Sequence, residues 1–122
     1  MICQFQCRGT AYHQLIICTA GNEITQTNIY FNNSIIENDS INPIEMEFLY
    51  NGGGVALADF NGDSLPDIFF TGSMVSNKMY INRGALKFED VTSTALVSGN
   101  KEWVNGAAVI DINNDGKKDI YL

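Results

Sequence analysis

The chain has 122 residues, 45% hydrophobic and 17% charged, a balance that rejects disorder and suits one modest domain. Net charge is -7, from fourteen acids against seven bases, with no basic stripe to neutralise phosphates, so nucleic acid is excluded as a partner class. No apolar run is long enough to form a transmembrane segment.

The first twenty-two residues stand apart. Cys3, Cys7 and Cys18 all fall here, and an odd count gives no closed disulfide framework. The one histidine, His13, has no partner for a zinc pattern, so these cysteines read as structurally unimportant. The apolar run from Leu15 to Ala20 is shorter than the ~7–15-residue core of an export signal. Cys18 also lacks the small preceding residues that lipid modification requires. Residues 1–22 are therefore left unassigned, and Met1 to about Gly21 fits a misplaced gene start.

Residues 23–50 are expected to supply strands leading into the main body, with Asn28-Ile29-Tyr30-Phe31 as one short strand after a mixed polar approach from Glu23. Asn32-Asn33-Ser34, Glu37 to Ser40 and Asn42-Pro43 read as turns. Asn32 and Asn38 open glycosylation triplets, which arise by chance in Asn-rich loops. Ile44 to Tyr50 alternates as a strand does and runs into Asn51-Gly52-Gly53-Gly54. That glycine run lacks the Gly-Lys-Ser/Thr and the helix of a phosphate loop, so close backbone approach explains it better.

Four strands follow: Val55–Ala58, with small residues alternating against larger ones; Asp67–Thr71, continuously apolar and hence covered on both faces; Ser76–Asn82; and Leu86–Val91. Gly72-Ser73 and Asn82-Arg83-Gly84 are the turns between them. Fifty-two residues on, the pattern recurs: Gly54 aligns with Gly106, Ala56 with Ala108, Leu57 with Val109, Ile68 with Ile120 and Phe69 with Tyr121. An internal repeat of this length signals propeller blades or solenoid turns, units that bury their faces only against neighbours. The expected fold is all-β: a partial β-propeller with one complete four-stranded blade at 51–102 and the start of a second at 103–122. The sequence stops at Leu122 inside the strand after the second loop, as the front end of a longer protein or a broken gene product would. Further blades are then missing, and Ile68 and Phe70 are expected to lack covers.

At the centre of each unit lies an acidic stretch, Asp59 to Asp67 and Asp111 to Asp119, which together hold six of the fourteen acids. Oxygen-bearing side chains stand at positions 1, 3, 5 and 9, the alternation that lets a short loop wrap one hard cation. At about 5 Å and an effective dielectric near 20, each carboxylate pair repels by roughly 3 kcal/mol, so a positive charge belongs between them. All-oxygen donors favour calcium over zinc or copper. The expected ligands are Asp59, Asn61, Asp63, Asp67 and the Leu65 carbonyl in one loop. In the other they are Asp111, Asn113, Asp115, Asp119 and the Lys117 carbonyl. Position 12 is Phe70 or Leu122 instead of the glutamate of a helical calcium loop, and the flanks are β-rich. Ser64 takes position 6, where positive φ is wanted and Gly116 supplies it cheaply, which points to strain in the first loop.

The run from Asn51 to Gly72 and the stretch Val75-Ser-Asn-Lys-Met-Tyr-Ile-Asn resemble the FG-GAP/VCBS repeat family. More narrowly they are similar to bacterial VCBS-repeat proteins with a downstream ASPIC/UnbV-type domain, and more distantly to the integrin α-chain propeller. The resemblance covers about Ile24 to Leu122 and implies a propeller of about seven blades, calcium in inter-strand loops, and an exported, often cell-surface protein. It implies an extracytoplasmic binding or adhesion role toward an unidentified protein or carbohydrate, with two structural calcium ions and no catalysis. Two other readings compete. One is a calcium-dependent propeller hydrolase acting on phosphate esters, although no Ser/His/Asp or Cys/His set is evident. The other is a helical calcium-binding docking module with duplicated loops.

Overall fold

The computed structural model of the chain describes residues 2–7, 13–19, 27–47, 49–101 and 103–122. Among these, strands β1 (Ile2–Cys7), β2 (His13–Thr19) and β3 (Asn32–Ser34) form one antiparallel sheet in that order. Strands β4 (Val55–Ala58), β5 (Asp67–Phe70), β6 (Lys78–Asn82) and β7 (Phe88–Asp90) form a second, a meander whose neighbours follow chain order. A four-residue helix, α1 (Thr92–Ala95), precedes the hairpin of β8 (Ala108–Ile110) and β9 (Asp119–Tyr121). The chain is nearly all-β and antiparallel, and no sheet closes on itself among the described residues.

The central strands β5 and β6 are covered on both faces, which is why β5 reads as an unbroken apolar run from Ile68 to Phe70. On one face Ile68, Phe70, Tyr80 and Phe88 pack with Ile29 and Phe31, flanked by Val75 and Leu86. Phe31 stacks on Phe70 with ring centroids 5.0 Å apart, and Tyr80 meets Phe70 edge-on at 5.9 Å. On the other face Ala56, Phe69 and Met79 meet Phe60, Val91 and Val97 together with Val109 and Ile120 of the second hairpin. Ile68 and Phe70 thus have the covers the sequence reading denied them: they are 1% and 0% exposed, because the segment before the repeat lies over them.

That segment departs from expectation in hydrogen bonding, not in facing. From Thr27 to Asn33 buried and exposed residues alternate, yet Asn28 to Phe31 is no strand. Its backbone is satisfied elsewhere: Phe88 N–H donates to the Thr27 carbonyl, and Tyr30 N–H to the Tyr80 hydroxyl. The ladder residues are Asn32–Ser34, the expected turn, with Asn33 and Ser73 exchanging two buried hydrogen bonds of 2.9 and 3.2 Å. The mixed polar residues from Glu23 lie outside the described residues, as does Phe48.

The strand expected from Ile44 to Tyr50 is not formed among the described residues, which make turns at 44–45, 47 and 49–50. Asn42 Oδ1 accepts the amides of Ile44 and Glu45, each at 3.0 Å, and the Asn42 carbonyl accepts Met46 N–H. A side chain that captures nearby amides competes directly with a sheet ladder, and Ile44 is left 93% exposed. The glycine run behaves as expected. A Cβ on Gly53 would strike the Thr71 carbonyl, and one on Gly54 would lie 2.6 Å from Ala107 N, so the entry to the first repeat touches the second.

Candidate functional site

Each acidic stretch bridges a hairpin with the same register. Ala58 faces Asp67 across β4 and β5, and Ile110 faces Asp119 across β8 and β9. Strands on both sides decide against the helical docking module.

The first carboxylate of each loop gathers backbone amides. Asp59 Oδ1 accepts Asp63 N–H at 3.1 Å and Oδ2 accepts Ser64 N–H at 2.8 Å. Asp111 repeats both bonds, with Asp115 at 2.9 Å and Gly116 at 2.8 Å. Asn61 and Asn113 each accept the amide two residues on, at 3.0 and 3.2 Å. Their side-chain NH₂ groups donate to Asp63 and Asp115, at 2.8 and 3.0 Å. Asp63 and Asp115 accept the amides of Leu65 and Lys117, both at 2.8 Å. Asp67 and Asp119 reach back to the amides of Phe60 and Ile112, at 2.9 and 3.0 Å. The two loops share these bonds, and the first adds a third amide to its leading carboxylate, Gly62 N–H to Asp59 Oδ1 at 2.6 Å.

That wiring needs two left-handed residues. Gly62 and Ser64 have φ of 80° and 66°; Asn114 and Gly116 have φ of 58° and 86°. Ser64 is therefore held in the region glycine prefers, as its place at position 6 implied. The matching demand at position 4 was not read from the sequence, although Gly62 and Asn114 are the residue types that meet it.

Amide donors lower the Asp59 pKa below the ordinary aspartate value: the Ser64 amide leads, desolvation works against it, and the Gly62, Asp63 and Asn61 amides add to it. The ionised form is thus the native one. Among the described residues no three of His, Cys, Asp and Glu converge as a metal cluster. Asn61, Asp63, Asn113 and Asp115 are exposed, Asp59, Asp111 and Asp119 are half-buried, and Asp67 is fully buried. Leu65 and Lys117 occupy equivalent exposed places in the two loops.

Asp67 does more than its counterpart. Besides Phe60 N–H it accepts Asn82 N–H at 2.9 Å, and the Asn82 side chain donates to the Pro66 carbonyl at 3.1 Å. Asn82 lies fifteen residues from Asp67 and carried no signal beyond that of a turn. A cavity of about 730 Å³ lined by Trp103, Gly106, Ala108 and Tyr121 lies away from these loops and includes none of the expected ligands.

The duplicated β-loop-β unit now has a family to set beside it. The sequence model of an FG-GAP-like repeat matches residues 59–122, about half of the chain. The chain belongs to the FG-GAP-like repeat family. It is also similar to human (Homo sapiens) Cartilage acidic protein 1, with 36% identity over 72 residues, or 58% of this chain. The matched part spans 11% of that relative's length. No solved structure matches. In FG-GAP-like repeat terms, the match takes in both acidic loops and every strand from β5 onward.

Proposed function

We propose that this FG-GAP-like chain is a calcium-stabilised β-propeller segment of an extracytoplasmic binding or adhesion protein, in which the metal is structural and not catalytic. The observation that carries the reading is the shared wiring of the two loops. A chance Asx turn needs one or two such residues, whereas here four oxygen-bearing side chains at fixed spacing adopt the same bonding twice.

The donor set fits the ion. All side-chain donors are oxygens of Asp or Asn; Asp59 Oδ1 already accepts two amides, from Gly62 and Asp63, whereas Asp59 Oδ2 and both oxygens of Asp63 each accept one bond and keep lone-pair capacity. Asp59, Asn61, Asp63, Asp67 and the Leu65 carbonyl would hold one calcium ion; Asp111, Asn113, Asp115, Asp119 and the Lys117 carbonyl would hold the other. When bound, the ion supplies positive charge that offsets carboxylate repulsion. The chain's own amides already hold the first carboxylate ionised and aimed. The weak sites of extracellular modules, with Kd of about 10⁻⁴–10⁻³ M, suffice where calcium is abundant.

The meander β4–β7 supports the blade assignment, and the packing of Val109 and Ile120 on its Phe69 face supports stacked units. The partner is proposed to be a protein or carbohydrate bound by loops of several blades. Calorimetric titration of the whole chain with calcium should give two ions bound. Asp63→Ala should reduce that count to one, since it removes an exposed donor from the first loop alone. Unchanged stoichiometry in Asp63→Ala, or none in the native chain, would refute the assignment.

A further inference from the structure

The first acidic loop and the β6–β7 turn lie at the same end of the four-stranded sheet, because alternate connections of a meander share an edge. Asp67 and Asn82 join them. Asp67 is fully buried, and its carboxylate divides its two oxygens between the loop and the turn: Oδ2 accepts Phe60 N–H and Oδ1 accepts Asn82 N–H, both at 2.9 Å. Asn82, itself 4% exposed, returns the tie in two directions. Its Nδ2 donates to the Pro66 carbonyl at 3.1 Å, and its Oδ1 accepts Gly84 N–H at 2.9 Å. Arg83 and Lys87 close the turn through Arg83 N–H to Lys87 O at 2.7 Å and Lys87 N–H to Gly84 O at 3.0 Å.

We infer that Asn82 is a positioning residue for the first ion loop, and that Asp67 and Asn82 relay the loop's occupancy to the turn at Asn82–Gly84. The inference rests on the calcium reading above. Oxygens of a buried carboxylate cannot move independently, so an ion that draws on Asp67 shifts its bond to Asn82 as well as its bond to Phe60. The Pro66 carbonyl, held by Asn82, fixes the backbone immediately before Asp67. Asn82 therefore orients the ninth position of the loop from both sides without being an ion ligand. The second loop is a built-in control: Asp119 keeps the bond to Ile112 N–H, but β9 has no third strand beside it among the described residues.

The test is a calcium titration of the whole ¹⁵N-labelled chain followed by amide NMR. Asn82 and Gly84 amides should shift with the same midpoint as Gly62 and Ser64. Asn82→Ala keeps the backbone N–H to Asp67 but removes the side-chain bond to the Pro66 carbonyl, and should weaken the first-loop midpoint by about three- to tenfold, the worth of that bond to the loop. The Gly116 and Lys117 midpoint should stay fixed, which a general loss of stability would not produce. Should Asn82→Ala fail to fold, the native titration alone decides. The relay is overturned if Gly62 and Ser64 respond while Asn82 and Gly84 do not, or if Asn82→Ala weakens both loops alike. If neither loop responds to calcium, the metal reading itself fails and takes the relay with it.

Discussion

Asp67 and Asp119 hold the same place in the repeat, yet their surroundings set different roles. Asp67 is buried and binds two backbone amides from different elements; Asp119 is half-buried and binds one. In the presence of a chelator, Asp67→Asn should cost about 2–3 kcal/mol, because an NH₂ then faces a buried N–H donor. Asp119→Asn should cost less than about 1 kcal/mol by urea unfolding, and equal costs would refute the distinction. At this scale the sequence was informative about the alternation of Asp and Asn side chains and the left-handed backbone at Ser64, since both depend on neighbours along the chain. It was silent about Asn82, whose partners are set by sheet pairing that a linear pattern does not record.

Among the elements, the strands that were legible are those whose burial dictates their composition. β5 is apolar from Ile68 to Phe70 because neighbours cover both of its faces, and β4 alternates because Ala56 faces inward while Val55 and Leu57 face out. The misread segments share one physical cause: side chains took over backbone hydrogen bonding. Asn42 captured the amides that an Ile44–Tyr50 strand needs, and Tyr80 captured Tyr30. The packing itself is testable. Phe70→Ala removes the ring that Phe31 stacks on and should cost about 3–5 kcal/mol by denaturant unfolding, whereas exposed Tyr121→Ala should cost under about 1 kcal/mol.

Tyr80 adds a pH signature to the same face. Burial raises its pKa, the bond to the Tyr30 backbone lowers it in part, and the Asp90 charge raises it further. A group whose folded pKa is raised contributes stability that is complete below the unfolded value, about 10, and lost as pH rises through the folded one. Unfolding free energy should therefore fall above about pH 10, and Tyr80→Phe should flatten that fall. An alkaline limb of equal slope in Tyr80→Phe would show that another group is responsible.

For the whole molecule, the β4–β5 and β8–β9 hairpins repeat one pattern of packing. Ile68 is roofed by the segment before its own sheet, and its equivalent Ile120 packs on the sheet before it, so like residues of the two units bury against the preceding element. The acidic loops sit at the ends of these packed strands, and the proposed ions would lock each hairpin where its own charge opposes closure. The central claim is that calcium, as a hard ion of the right size, completes both hairpins. The most direct measurement is the thermal midpoint of the whole chain in chelator, in calcium and in magnesium at equal concentration. With calcium at about ten times Kd, each site adds about 1.4 kcal/mol, and the midpoint should rise by several degrees. Magnesium, held to octahedral geometry and its own waters, should leave it nearly unchanged. A midpoint indifferent to calcium, or raised equally by both ions, would contradict the account.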